Sequence, residues 1–188
     1  MVVGLLRHRG VEIAWGTPSW VLQEVVGGSK MSTKWDKVGK GGMRGVLYGE
    51  YQHTIDDKGR VSLPAKFRAE LGEKVAVCKG LENCLYVFSV KQFEGLVERM
   101  SASPIGSRAV REFSRGFLSG VTDAEVDGHG RILLPQAFRE YAGLEREAVV
   151  VGVATRAEIW DVAAFQSFKD SIKDRFEEMA EKLIDLGI

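Results

Sequence analysis

From Tyr48 to Leu63 the chain reads YGEYQHTIDDKGRVSL, and apolar and polar residues alternate on both sides of an Asp-Asp-Lys-Gly interruption. Period two marks a half-buried strand, so the pattern predicts a β-hairpin with a short turn. Gly59 supplies the positive φ that such a turn requires. The Asp56 carboxylate sits where turn N–H groups can reach it. Pro64 then opens a short helix, PAKFRAEL, which Gly72 stops. Two strand-like runs follow, VAVCK and CLYVF, about a Gly-Leu-Glu-Asn turn. A helix from about Val90 to Met100 completes the unit.

The same succession returns in the second half of the chain. AEVD, GHG and RILL predict a second hairpin, PQAFREYA a second short helix ended by Gly143, and AVVVGV and AEIW the next strands. Aligned from Asp56 and Asp127, seven of thirteen positions are identical: Asp56/Asp127, Gly59/Gly130, Arg60/Arg131, Leu63/Leu134, Pro64/Pro135, Phe67/Phe138 and Arg68/Arg139. A similarity this dense predicts a duplicated structural unit.

SASP reads as a linker between the copies and IGSRAVREFSRGFLSG as a connecting helix. Beyond the second copy, Phe165, Phe168, Ile172, Phe176, Met179 and Leu183 recur at three- and four-residue steps, predicting one long helix from about Val162 to Leu186. The resulting division is a first repeat at 50–92, a second at 121–164 and a C-terminal helix at 165–188. The fold class is α+β, with duplicated β-β-α-β-β units. One such unit is too small to cover its own strand edges, whereas two can interleave their hairpins and close a single barrel.

Residues 1–45 differ from the rest. They hold Trp15, Trp20 and Trp35, three of the four tryptophans, and a loose GGSKMSTKWDKVGKGG stretch without a period. Little stable structure is expected there. The Gly- and Lys-rich residues before Met31, Met43 or Val46 also resemble a translated ribosome-binding site, so an upstream start chosen in error is expected. No apolar run reaches the roughly 18 residues of a membrane helix, and Arg7, His8 and Arg9 interrupt the N-terminal apolar stretch too early for a signal peptide. Two cysteines, Cys78 and Cys84, make no disulfide framework and point to the cytoplasm.

Formal net charge is zero, which removes general electrostatic attraction to nucleic acid. Residues 1–45 carry seven Lys/Arg against three Asp/Glu, leaving 19 against 23 in the rest of the chain. Any DNA-binding surface in the repeats must therefore gather a few cations at one place. The first hairpin tip does so with Lys58 and Arg60, and a two-stranded ribbon fits the major groove. Lys58 suits phosphate; Arg60 could hold phosphate or guanine. Arg60 and Arg131 could equally bridge back to Asp56 and Asp127 and lock their turns. Arg68 and Arg139 read as solvated or ion-paired helix residues. His129 replaces Lys58 in the second copy, so that tip binds anions less well near neutral pH.

Catalysis finds little support. His8, His53 and His129 have no ligand spacing with the cysteines, so neither a metal nor another cofactor is implied. His53, Asp56 and Ser62 read as strand and turn residues rather than a triad.

GEYQHTIDDKGRVSLPAKFR and VDGHGRILLPQAFREYAGL together resemble the two halves of the MraZ family, whose members carry paired SpoVT/AbrB-like domains. The Asp-x-x-x-Arg signature stands intact twice, as Asp56–Arg60 and Asp127–Arg131, and the resemblance covers roughly Val46 to Ile188. It implies a swapped-hairpin, AbrB-like β-barrel with flanking helices and assembly into homo-oligomeric rings. It also implies a nucleoid-associated transcriptional regulator that binds double-stranded DNA at promoter direct repeats of the division and cell-wall gene cluster. Lys58 and Arg60 stand at the family's DNA-contacting positions, leaving Asp56, Gly59, Asp127, Gly130 and Arg131 as the turn motif. Tyr48 departs from the family, which often has a basic residue there. The alternative is an AbrB-like antitoxin whose barrel positions a partner-binding tail, although this chain ends in an amphipathic helix.

Overall fold

The computed structural model describes residues 5–8, 11–14, 45–102 and 107–184. The chain divides into two compact units, Met1–Gly42 and Met43–Ile188. In the first, β1 (Leu5–His8) and β2 (Val11–Ala14) pair antiparallel, with Leu5 opposite Ala14. Apart from these strands and Gly45, the expectation of a loose segment at 1–45 lies outside the described residues.

The second unit repeats one order of elements. The first copy runs β3 (Leu47–Thr54), β4 (Arg60–Ser62), α1 (Ala65–Leu71), β5 (Lys74–Lys79), β6 (Leu85–Ser89) and α2 (Val90–Ser101). After α3 (Arg108–Leu118) comes the second: β7 (Val121–Glu125), β8 (Arg131–Leu133), α4 (Gln136–Tyr141), β9 (Glu147–Ala154), β10 (Arg156–Asp161) and α5 (Val162–Lys173). A last helix, α6 (Phe176–Ile184), follows. The fold is α+β, with antiparallel strands and flanking helices.

Six strands form one antiparallel sheet in the order β3-β9-β10-β6-β5-β7, while β4 and β8 pair as a separate ribbon. Each repeat therefore gives its first strand to the other. β3 lies along β9 from Leu47↔Ala154 to Thr54↔Glu147, and β7 lies along β5 from Lys74↔Glu125 to Cys78↔Val121. The predicted hairpins are thus only nominal. β3 and β4 share a single bridge, Ile55↔Val61, and the main ladders run to the other copy. Edge strands seek the partner that completes a sheet, and a three-residue β4 cannot supply one for β3.

One face of the sheet carries the main core. Val61 of β4 and Ile132 of β8 are fully buried in it, together with Phe67, Leu85, Val150 and Ile159. Tyr51 meets Phe67 edge to face, with ring centroids 5.3 Å apart. Each such side chain contributes roughly 1.5–3 kcal/mol by leaving water. The opposite face holds a smaller cluster of Cys84, Val149, Trp160 and Phe165 beneath α5. Asp161 caps α5, its Oδ1 accepting from the Ala164 N–H at 2.9 Å. The single C-terminal helix predicted from periodicity is two, α5 and α6, parted at Asp174–Arg175. The apolar stripe runs across the break unchanged, so periodicity could not reveal it.

Candidate nucleic-acid interface

The β4–β8 ribbon is the centre of the repeated motif. Its register sets Arg60 opposite Leu133, Val61 opposite Ile132 and Ser62 opposite Arg131. Strand alternation sends Val61 and Ile132 into the core and leaves Arg60, Ser62, Arg131 and Leu133 on the outer face. The turns lock each other reciprocally: the Leu63 N–H donates to Gly130 O and the Leu134 N–H to Gly59 O, both at 2.9 Å. Gly59 has the positive φ that its turn required, 77°, and Gly130 repeats it at 78°.

Each turn is held by its aspartate. Asp56 Oδ1 accepts from the N–H groups of Lys58 (3.0 Å) and Arg60 (2.9 Å), and its Oδ2 accepts from Arg60 Nε at 2.7 Å. Asp127 repeats the pattern with His129, Arg131 and Arg131 Nε, each at 2.9 Å. The two pairs also meet. Arg131 Nη1 lies 3.6 Å from Asp56 Oδ2, and Arg60 Nη1 lies 4.0 Å from Asp127 Oδ2. Two arginines and two aspartates thus form one pseudo-symmetric quartet across the repeats.

Asp56 is held below its ordinary value, first by the Arg60 N–H, while burial works against the shift. Asp127 is held well below it, first by the Arg131 side chain and then by its backbone N–H. Both carboxylates stay ionised at neutral pH, so the quartet balances its own charge. Arg60 and Arg131 are alike in this, with side chains 30% and 27% exposed. The two arginines therefore occupy equivalent places in the quartet.

The cations left over are Lys58, exposed at the first tip, and two arginines placed by exchange. Arg68 of α1 lies over Gly130 of the second repeat, and Arg139 of α4 lies over Gly59 of the first. A Cβ added at Gly59 would stand 2.8 Å from Arg139 Nε. Arg139 Nε donates to Leu134 O at 3.2 Å, and neither arginine has a carboxylate partner among the described residues. Their identity in both copies was the signal that could have marked them as part of the motif. Tyr48, half-exposed, carries the Lys66 ammonium 3.1 Å from its ring centroid. The neighbouring helix thereby brings a positive charge beside Tyr48.

Other candidate chemistry is not assembled. Among the described residues no group of three or more His, Cys, Asp or Glu is placed to hold a metal ion. Cys78 and Cys84 are buried, and burial pushes both thiols up to about 12, so neither is a nucleophile at neutral pH. His53 Nε2 is buried without a hydrogen-bond partner, and Asp56 is engaged by arginines, so no triad forms with Ser62. No helix among the described residues is long and apolar enough to cross a membrane.

The profile of the MraZ protein family, described as antitoxin-like, matches residues 46–115 and again 117–187. The Transcriptional regulator MraZ of Acetivibrio thermocellus is 46% identical over 143 residues, covering 76% of this chain and all of the relative. That of Moorella thermoacetica is also 46% identical over 143 residues, with the same coverage. That of Carboxydothermus hydrogenoformans is 47% identical over 140 residues, covering 74% of this chain and 98% of the relative. The chain belongs to the MraZ family.

Proposed function

We propose that this MraZ-family chain is a sequence-specific transcriptional regulator that binds double-stranded DNA as a homo-oligomeric ring. Its target in this reading is the promoter of the division and cell-wall gene cluster, bound at direct repeats, and its place is the cytoplasm, on the nucleoid. The named function of relatives about 46% identical along their whole length supports the regulatory role. The observation that carries the DNA reading is the outward ribbon face, where Lys58, Arg68 and Arg139 stand around a self-neutralised quartet. The exchange of β3 and β7 between copies supports reading the sheet and ribbon as the walls of a swapped-hairpin, AbrB-like barrel.

In this reading Lys58 meets phosphate, and Arg60, oriented by Asp56, offers its remaining N–H groups to phosphate or a guanine edge. Asp56, Gly59, Asp127, Gly130 and Arg131 hold the turns. Zero net charge leaves each site weak, and a ring compensates by presenting several tips to one duplex at high effective concentration. No cofactor or catalytic step is needed.

The test is fluorescence anisotropy with the duplex upstream of the chain's own gene cluster, read across a salt series. Saturable binding is expected, with log affinity falling by roughly 0.9 per phosphate contact for each unit of log salt. Equal affinity for a scrambled duplex of the same length would reject the reading.

A further inference from the structure

Of the side chains on the outward face of the β4–β8 ribbon, Arg60, Ser62 and Arg131 are polar and Leu133 is not. Leu133 is 53% exposed, whereas Ile132 and Leu134 on either side of it are buried. The core takes those two neighbours and makes no use of Leu133. The register sets Leu133 opposite Arg60 and Ser62 opposite Arg131, and side chains directly opposite in an antiparallel pair stand about 5 Å apart. On most surfaces a single exposed leucine needs no explanation. This one stands beside the arginine that the proposed function aims at DNA, on the face that enters the major groove.

Leu133 also breaks the symmetry of the ribbon. The two-fold that matches Asp56 to Asp127 and Arg60 to Arg131 calls for a second leucine in the first repeat, and Ser62 stands there instead. A ribbon alike on both sides reads a duplex equally in both directions and favours palindromic sites, as two-fold dimers do. With Arg60 and Ser62 on one strand and Arg131 and Leu133 on the other, the two directions are unlike. A ribbon of this kind can distinguish sites repeated head to tail.

Chemistry selects the base. A leucine side chain neither donates nor accepts a hydrogen bond, and the major-groove edges offer one apolar group to meet it, the 5-methyl of thymine. Against the amino group of cytosine or adenine, or the O6 of guanine, it would strip water from a polar group and give no partner in return. We infer that Leu133 packs on the 5-methyl group of a thymine close to the contact made by Arg60. The separation is about two base pairs at most, since base pairs stack about 3.4 Å apart. The inference rests on the proposed DNA reading and adds a base preference to it. Covering one methyl is worth about fourfold in affinity.

The experiment is fluorescence anisotropy with the duplex upstream of the chain's own gene cluster, its thymines replaced one at a time by deoxyuridine. Deoxyuridine pairs like thymine and lacks only the methyl. For the wild-type chain, at least one replacement should weaken binding about fourfold and leave the salt slope unchanged, because no charge is involved. Leu133→Ser, which copies Ser62, should bind the thymine duplex about fourfold more weakly than wild type and be indifferent to that replacement. Leu133→Ala repeats the comparison with a milder change should the serine variant lose its fold. No saturable binding of any duplex would overturn the DNA reading and this contact together. Binding that no deoxyuridine weakens, or a weakening that the Leu133 variants retain in full, would overturn the contact alone. So would a variant that loses the same factor on thymine and deoxyuridine duplexes, which would make Leu133 packing for the Arg60 side chain and nothing more.

Discussion

Arg131 of the second repeat lies 3.6 Å from Asp56 of the first, Nη1 to Oδ2. That contact joins two turns from opposite halves of the second unit into one charged group. It also means that neither half of the motif is complete without the other. A lone repeat would leave its aspartate with one arginine, its ribbon strand unpaired and its turn glycine uncovered.

The quartet makes acid stability a readout of the turns. Both aspartates titrate below their ordinary 3.8 in the folded chain, so their stabilisation is fully present above that value. It is lost as pH falls through the lowered folded values, where the unfolded chain already binds the protons. Urea midpoints measured from pH 6 to pH 2.5 should fall below about pH 4, and the fall should be shallower in Asp56→Asn and Asp127→Asn, which start less stable. A wild-type slope retained in the double variant would place the acid sensitivity elsewhere.

His53 gives a second, separate window. Burial lowers it from 6.5 in the folded chain, so below pH 6.5 the unfolded state binds the proton more readily. Stability should therefore decline as pH falls from 7 towards 5. His53→Leu, which also removes the unpartnered Nε2, should flatten that decline. Thermal midpoints across this range decide it.

Arg60→Ala and Arg131→Ala should destabilise the fold by similar amounts, roughly 1 kcal/mol each, because the two occupy equivalent half-exposed pairs. DNA binding should separate them. In the proposed reading Arg60→Ala weakens binding in every engaged subunit, Lys58→Ala lowers the salt slope by roughly 0.9 per lost contact, and Arg131→Ala acts mainly through stability. Urea unfolding and a salt series on the same three proteins test both halves. If folded Arg60→Ala binds like wild type while Arg131→Ala does not, the roles of the copies are reversed.

Gly59→Ala and Gly130→Ala should each cost about 1 kcal/mol or more, since both positions have positive φ. They should also push the arginine of the opposite repeat off its perch: Arg139 in the first case, Arg68 in the second. If those arginines meet phosphate, the two variants will lose DNA affinity beyond what their stability loss explains. An affinity unchanged in the folded variants would remove Arg68 and Arg139 from the interface.

Much of this was legible in the residues alone, because it is local. Period-two alternation marked β3 and the ribbon strands, Pro64 and Gly72 bounded α1, and Gly59 announced positive φ. The duplicated Asp56–Arg60 and Asp127–Arg131 words offered the side-chain pairing within each turn as one of two readings of each arginine. Partnership between elements was not legible. Alternation says that β3 has a buried face but not that β9, rather than β4, lies beside it; that choice depends on which edge completes the sheet. For the same reason neither the quartet that joins Arg60 and Arg131 nor the place of Arg68 and Arg139 over the opposite turns was legible. Only strand exchange brings Arg131 to Asp56, Arg68 to Gly130 and Arg139 to Gly59. Contacts between the two repeats are chosen by the fold as a whole, and no short window of sequence contains both partners.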